Sequence, residues 1–244
     1  MTSAHGSGAR REELSANLQR VRERIGAACL AAGRPREEVH LIVVTKFFPV
    51  EDIQVLSQLG VTEIGESRDQ EASAKVAALP PEIRAGLHIH FIGQLQSNKA
   101  ASLAAYVDTV HSVDRPKLVL SLDRAAVAAG RDIGVLVQVR LVGDSADGQG
   151  RGGIPPDGAP ELANDVVAAQ RLRLRGLMAV APLGADPAEA FAQLAIVARD
   201  LRADHPGATW ISAGMSADLE AAVANGATHL RVGSAILGSR PPLR

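Results

Sequence analysis

Residues 41–66, LIVVTKFFPVEDIQVLSQLGVTEIGE, decide the reading of the fold. Leu41–Thr45 is a continuous apolar run of the kind that forms a strand buried on both faces. Val50–Leu59 follows with the pattern of an amphipathic helix, and Thr62–Gly65 reads as the next strand. Strand, helix and strand in this order make one crossover unit of a parallel sheet.

The same alternation extends along the rest of the chain. Further strands are expected at His88–Gly93, Val107–Ser112, Gly134–Leu141, Leu174–Val180, Thr209–Ala213 and His229–Gly233. Helices are expected at Gln70–Ala78, Ser97–Ala105, Arg115–Ala129, Pro160–Leu172, Pro187–Arg202 and Ala217–Asn225, with one more at about Arg11–Ala31 ahead of the first strand. Eight repeats favour closure, and no G-x-G-x-x-G follows the first strand to suggest a dinucleotide fold. The expected architecture is α/β, a single (β/α)₈ TIM barrel over residues 11–240 with an extra N-terminal helix. Residues 1–10 are expected as a disordered tail. Composition agrees: 46% of the 244 residues are hydrophobic and only 2% aromatic, suited to a barrel packed with branched side chains.

A net charge of −1 gives no electrostatic case for nucleic acid or a membrane surface. Met1–Gly8 lacks the apolar stretch of a signal peptide, and Cys29 is the only cysteine. Both point to a cytoplasmic protein, with Cys29 a small buried hydrophobe. No long exposed apolar stripe stands out, so a monomer is expected.

Lys46 ends the first strand and is one of only four lysines, with Lys75, Lys99 and Lys117. Behind an apolar run an ammonium loses hydration, which favours the neutral amine that attacks an aldehyde. The plain alternative is a strand-end lysine reaching solvent. Lys75 and Lys117 lie in helical stretches and read as solvated charges. Two turns of small residues, Gly214-Met215-Ser216 and Gly233-Ser234, follow the seventh and eighth strands, where barrels often hold a phosphate. Each turn is equally open to a reading as ordinary capping, with Ser216 an N-cap. Arg231 precedes the second turn by two residues and points the same way along the strand. From there a guanidinium can face a ring nitrogen and keep it unprotonated, or simply pair with a barrel carboxylate. His88, His90 and His111 invite a metal reading, but histidines bonded within the core are the simpler expectation. The Gly-rich stretch Gly143–Gly153 falls on the same face as the two turns and is either a surface loop or part of the site.

Taken in order, these segments resemble the pyridoxal phosphate homeostasis protein family, whose barrel is similar to the N-terminal domain of alanine racemases. The stretches that carry the resemblance are Val44-Thr45-Lys46, Gly65–Glu71, His90–Lys99, His111–Arg115, Gly176–Ala179, Gly214–Glu220 and Arg231–Gly238. By resemblance Lys46 matches the lysine that forms a Schiff base with pyridoxal 5′-phosphate. Ser216, Gly233 and Ser234 match phosphate-binding positions, with Met215 in the same turn. Arg231 matches the partner of the pyridine nitrogen, and Asn98 lies in a loop that lines the cofactor. The chain departs from the family at Ser67, usually Asn, at Ala213, usually bulkier, and at Arg151, often Lys.

The resemblance implies a non-catalytic carrier that stores the cofactor and delivers it to apo-enzymes. The alternative is a single-domain racemase, which needs acid/base groups on both faces of its carbanion. Racemases of this fold take the second group from a tyrosine of another domain, whereas Tyr106 here precedes the fourth strand and the sequence ends at Arg244. The carrier is therefore the expected reading, with no metal.

Overall fold

The computed structural model describes residues 3–141 and 152–239. Eight strands close into a barrel in chain order: β1 (His40–Val44), β2 (Glu63–Glu66), β3 (His88–Phe91), β4 (Thr109–Val113), β5 (Ile133–Gln138), β6 (Leu172–Met178), β7 (Trp210–Ser212) and β8 (His229–Val232). Each is parallel to its neighbours, and β1 closes on β8 with Ile42 beside Arg231 and Val43 beside Val232. The helices are α1 (Ser3–Ala31), α2 (Val50–Gln58), α3 (Asp69–Ala78), α4 (Pro81–Ala85), α5 (Ala100–Ala104), α6 (Pro116–Ala129), α7 (Ala159–Ala168), α8 (Pro187–Asp204), α9 (Leu219–Ala224) and α10 (Ser234–Leu237). The architecture is the α/β barrel with a preceding helix that the alternation implied. Among the described residues no helix is long and apolar enough to cross a membrane.

Alternate residues of a barrel strand face the helices and the lumen. Outward, Val43, Ile64 and Ile89 join Ile53, Leu56 and Leu103 in the hydrophobic core between sheet and helices. Each such aliphatic side chain contributes about 1.5–3 kcal/mol by leaving water. The branched residues concentrate in this layer. The lumen is partly polar instead, with His90, His111, Ser212, His229 and Arg231 all buried. Groups of this kind must find partners inside the protein.

Several boundaries differ from expectation. The helix expected to reach Leu172 stops at Ala168, and Leu172 opens β6 beside Ile133. Arg171-Leu172-Arg173-Leu174-Arg175 alternates polar and apolar residues, which is strand periodicity rather than helical. A short helix, α4, was not expected, and α9 begins at Leu219 rather than Ala217. At the N-terminus α1 is helical from Ser3, so most of the expected tail of residues 1–10 forms its first turns. Arg10 already ties this part of α1 to α2 through Asp52. Of the Gly-rich stretch Gly143–Gly153 only Gly152 and Gly153 are described, and its expected role, like Arg151, lies outside the described residues.

Candidate functional site

Lys46 stands half-buried in the turn between β1 and α2, at the C-terminal end of the barrel. The turn is held in an unusual conformation. Phe47 has φ 71°, the left-handed region that non-glycine residues seldom occupy. Its N–H donates to Glu71 Oε1 at 2.5 Å, and its ring lies under the Arg68 guanidinium at 4.9 Å and the Lys46 ammonium at 5.9 Å.

Lys75 anchors this turn from below, contrary to its reading as a solvated charge. Only 8% of Lys75 is exposed. Its Nζ donates to Thr45 O at 3.0 Å and Phe48 O at 3.2 Å, the carbonyls flanking Lys46 and Phe47. The same ammonium pairs with Glu66 Oε1 at 2.6 Å and Glu71 Oε1 at 2.8 Å. Thr45 Oγ1 also donates to Glu66, whose carboxyl is pushed up by burial against the opposing pull of Lys75. A buried ammonium satisfied by two carboxylates and two carbonyls stiffens the backbone that presents Lys46.

The turns after β7 and β8 meet beside it. Ser234 Oγ and Ser216 Oγ lie 3.3 Å apart. Gly214 has φ 88°, and a Cβ there would sit 2.6 Å from Ala222 Cβ, so only glycine fits. A Cβ on Gly233 would come within 3.1 Å of Val44 O, at the end of the strand that leads into the Lys46 turn. Ser216 does not cap a helix: the N-cap position of α9 is Asp218, and its Oδ1 accepts from Met215 N at 2.5 Å. The first bond of α10 runs from Ile236 N to Gly233 O, which leaves the N–H groups of Ser234 and Ala235 ahead of it.

α1 straps both turns. Arg24 donates twice to Ser216 O at 3.2 Å, Asn17 to Ile236 O at 2.8 Å, and Arg10 to Leu237 O at 3.1 Å. These three residues are spaced seven apart and share one face of the helix. That spacing was visible in the sequence and was not read as functional.

Arg231 is 4% exposed. It donates to Ser212 Oγ at 2.7 Å and to Ala179 O at 2.9 Å, while its backbone N–H holds Gly214 O at 2.9 Å. The histidines weighed as metal ligands bond elsewhere. His90 Nδ1 meets His111 Nε2 at 2.8 Å, and His88 Nε2 meets Thr109 Oγ1 at 2.8 Å. At the other end of the barrel, donor atoms of His40, Glu63 and His229 all lie within 4.8 Å of one another. There the two imidazoles stack nearly parallel, 4.7 Å apart, so their in-plane lone pairs do not converge.

Residues 10–241 match the family described as alanine racemase, N-terminal domain. A pyridoxal phosphate homeostasis protein of Mycobacterium bovis is 45% identical over 247 residues, covering 95% of this chain and 94% of its own. The chain belongs to the pyridoxal phosphate homeostasis protein family. A member from Escherichia coli is 35% identical over 93% of this chain and 97% of its own. PipY of Synechococcus elongatus, solved with PLP bound, superposes with a TM-score of 0.77 at 35% identity, over 92% of this chain and 100% of that one. Of the positions singled out by likeness to homeostasis proteins, Lys46, Met215, Ser216, Arg231, Gly233 and Ser234 come from β1, β7 and β8 or the turns that follow them. Asn98 lies apart, exposed on the 3-10 turn Ser97–Lys99 after β3. Its neighbours Gln94, Gln96 and Lys99 line a cleft of about 350 Å³ together with Ser67 and Arg68.

Proposed function

We propose that this chain binds pyridoxal 5′-phosphate covalently through Lys46 at the C-terminal mouth of the barrel, and stores and delivers it rather than turning over a substrate. The observation that carries the reading is the meeting of the Ser216 and Ser234 hydroxyls, 3.3 Å apart, in turns beside the strand that leads into the Lys46 turn. The chain's residues fit the group. Two hydroxyls and the N–H groups of Ser234 and Ala235 suit a phosphate dianion, and Gly214 and Gly233 leave the backbone open to it. Arg231 supplies donors and no acceptor, so it keeps a proton off the ring nitrogen. Asn98 and Met215 complete the set, at the rim and in the phosphate turn.

When bound, pyridoxal 5′-phosphate supplies an aldehyde that condenses with amines. Lys46 Nζ would hold that aldehyde, Lys75 would fix the turn beneath it, and Arg231 would face the ring nitrogen and limit the ring as an electron sink. The racemase alternative is disfavoured by Tyr106, which is buried with its hydroxyl 3.2 Å from Asp69 Oδ1, burial and Asp69 both pushing its phenol up. So held, it is a poor acid or base opposite Lys46. The reading includes delivery to apo-enzymes that use the same cofactor, a cytoplasmic location and a monomeric state.

The test is the absorbance of the purified chain after adding pyridoxal 5′-phosphate. A near-visible band that is absent in Lys46→Ala supports the reading, and a chain that stays colourless overturns it. Steady exchange of Cα hydrogen for solvent deuterium in free amino acids, with inversion, would favour the racemase.

A further inference from the structure

Arg231 is one end of a buried chain of polar contacts across the lumen. Its Nη1 donates to Ser212 Oγ at 2.7 Å, and Ser212 Oγ lies 2.9 Å from His111 Nδ1. His111 Nε2 lies 2.8 Å from His90 Nδ1, and His90 Nε2 faces Glu63 Oε2 at 3.3 Å. Ser212, His111 and His90 are each 0% exposed. The five residues come from β8, β7, β4, β3 and β2, and Glu63 is the first residue of its strand. The chain therefore runs from the site towards the opposite end of the barrel.

We propose that Ser212, His111, His90 and Glu63 are positioning residues for Arg231, joined in a single direction of proton donation from guanidinium to carboxylate. The functional half of this rests on the reading that Arg231 meets the ring nitrogen. The direction itself follows from the residues alone.

A guanidinium only donates, so Ser212 Oγ must accept from it. The buried hydroxyl then has one hydrogen to place, and among the described residues its only other partner is His111 Nδ1. His111 Nδ1 accepts, which puts the single proton of that ring on Nε2. That proton meets His90 Nδ1, which accepts in turn, and His90 carries its own proton on Nε2 towards Glu63. The far end selects the same order. With both rings reversed, a bare His90 Nε2 would face Glu63 Oε2, two buried acceptors with no hydrogen between them. Neither atom makes a hydrogen bond among the described residues, so the polar group each has to turn to is the other, 3.3 Å away. Burial holds His111 well below the usual histidine range, so it is neutral. Glu63 is a carboxylate: burial pushes it up, but His90 facing it and the neighbouring imidazoles bring it down to about 2.

Ser212 keeps a lone pair turned to Arg231 because its hydrogen is committed to His111. Removing the hydroxyl, or the acceptor behind it, takes away one of the bonds that orient the guanidinium and leaves Nη1 less firmly aimed, with Nη2 still on Ala179 O. Glu63 thus acts on the site from across the barrel without touching it.

Two arms test this and fail separately. In the unaltered, cofactor-free chain, ¹⁵N spectra of labelled histidine should show His111 and His90 each protonated on Nε2 with a bare Nδ1. A proton on Nδ1 of either ring would overturn the proposed direction, whatever the chain binds. In chain loaded with pyridoxal 5′-phosphate, Ser212→Ala should displace the near-visible band and weaken retention about tenfold or more, the loss of one hydrogen bond to a charged group. Ser212→Thr, which keeps the hydroxyl, should restore both, with circular dichroism unchanged throughout. An unshifted band and parental retention in a folded Ser212→Ala would refute the positioning role. Failure of the unaltered chain to take up cofactor would instead remove the reading of Arg231 on which that role depends.

Discussion

Replacing Lys75 by methionine separates the support of the Lys46 turn from its chemistry. Methionine fills the volume of the lysine stem, so no cavity opens and the loss is that of the ammonium. Removing one partner of a buried ion pair costs about 3–5 kcal/mol, because the other charge is stranded. Here Glu66 is 1% exposed and already pushed up by burial, so it escapes part of that cost by taking a proton. Thr45 O loses one donor but keeps the bond from Phe48 N, while the half-buried Phe48 O loses its lysine donor, and an acceptor left unmade costs about 1–3 kcal/mol. Balancing these, Lys75→Met should lose about 3–4 kcal/mol at pH 7.5, a fall of roughly 6–16 °C in Tm for a chain of this size. The pH dependence has a definite sign. A carboxyl raised in the folded state binds more protons there than in the unfolded chain, so stability falls as pH rises between the two pKa values. Without Lys75 that window extends upward, and the deficit against the parent should be larger at pH 8 than at pH 5. Urea melts at both values would measure it. A loss below about 1 kcal/mol, or one independent of pH, would refute the view that Lys75 is a buried, fully engaged cation.

Gly214→Ala should destabilise the chain by about 1–3 kcal/mol, since φ is 88° and the new methyl meets Ala222; a denaturant titration checks this. Arg24→Ala removes the clamp on Ser216 O from a partly exposed position. It should weaken retention of pyridoxal 5′-phosphate about threefold to tenfold and leave unphosphorylated pyridoxal little changed, measured by equilibrium dialysis. His229 is lowered to about 3 and His88 to about 4, in both cases chiefly by burial. Histidines that fold neutral take protons on unfolding, so stability should drop as pH falls from about 6.5 towards 4, followed by melts across that range.

The fold was readable where hydrophobic pattern and element length agreed. Leu41–Val44 is apolar throughout because β1 is covered by helices outside and packed lumen inside, and Val50–Gln58 keeps helical spacing. Leu172 was misassigned because an alternating Arg–Leu segment adjoins a helix whose last apolar residues continue smoothly into it. The candidate site was readable because its residues stand at or just beyond strand ends, which is why Lys46, Ser216, Arg231 and Ser234 could be singled out. What escaped depends on contacts distant in sequence. Lys75 reaches Thr45 O across 30 positions, and the α1 side chains reach the turns after β7 and β8 across 192 to 227. No local pattern distinguishes a lysine that folds inward from one that stays in water. Likewise the spacing of His90 and His111 suits a shared ion as well as a direct bond, and only the neighbouring strands β3 and β4 bring one ring nitrogen onto the other.

The central claim is that Lys46 is the residue that takes the aldehyde. Its most direct test is to load the chain with pyridoxal 5′-phosphate, fix the adduct with borohydride, and map the modified peptide by mass spectrometry. The account predicts one phosphopyridoxyl group, on Lys46. Modification at Lys75, Lys99 or Lys117 with Lys46 untouched, or none at all, would contradict it.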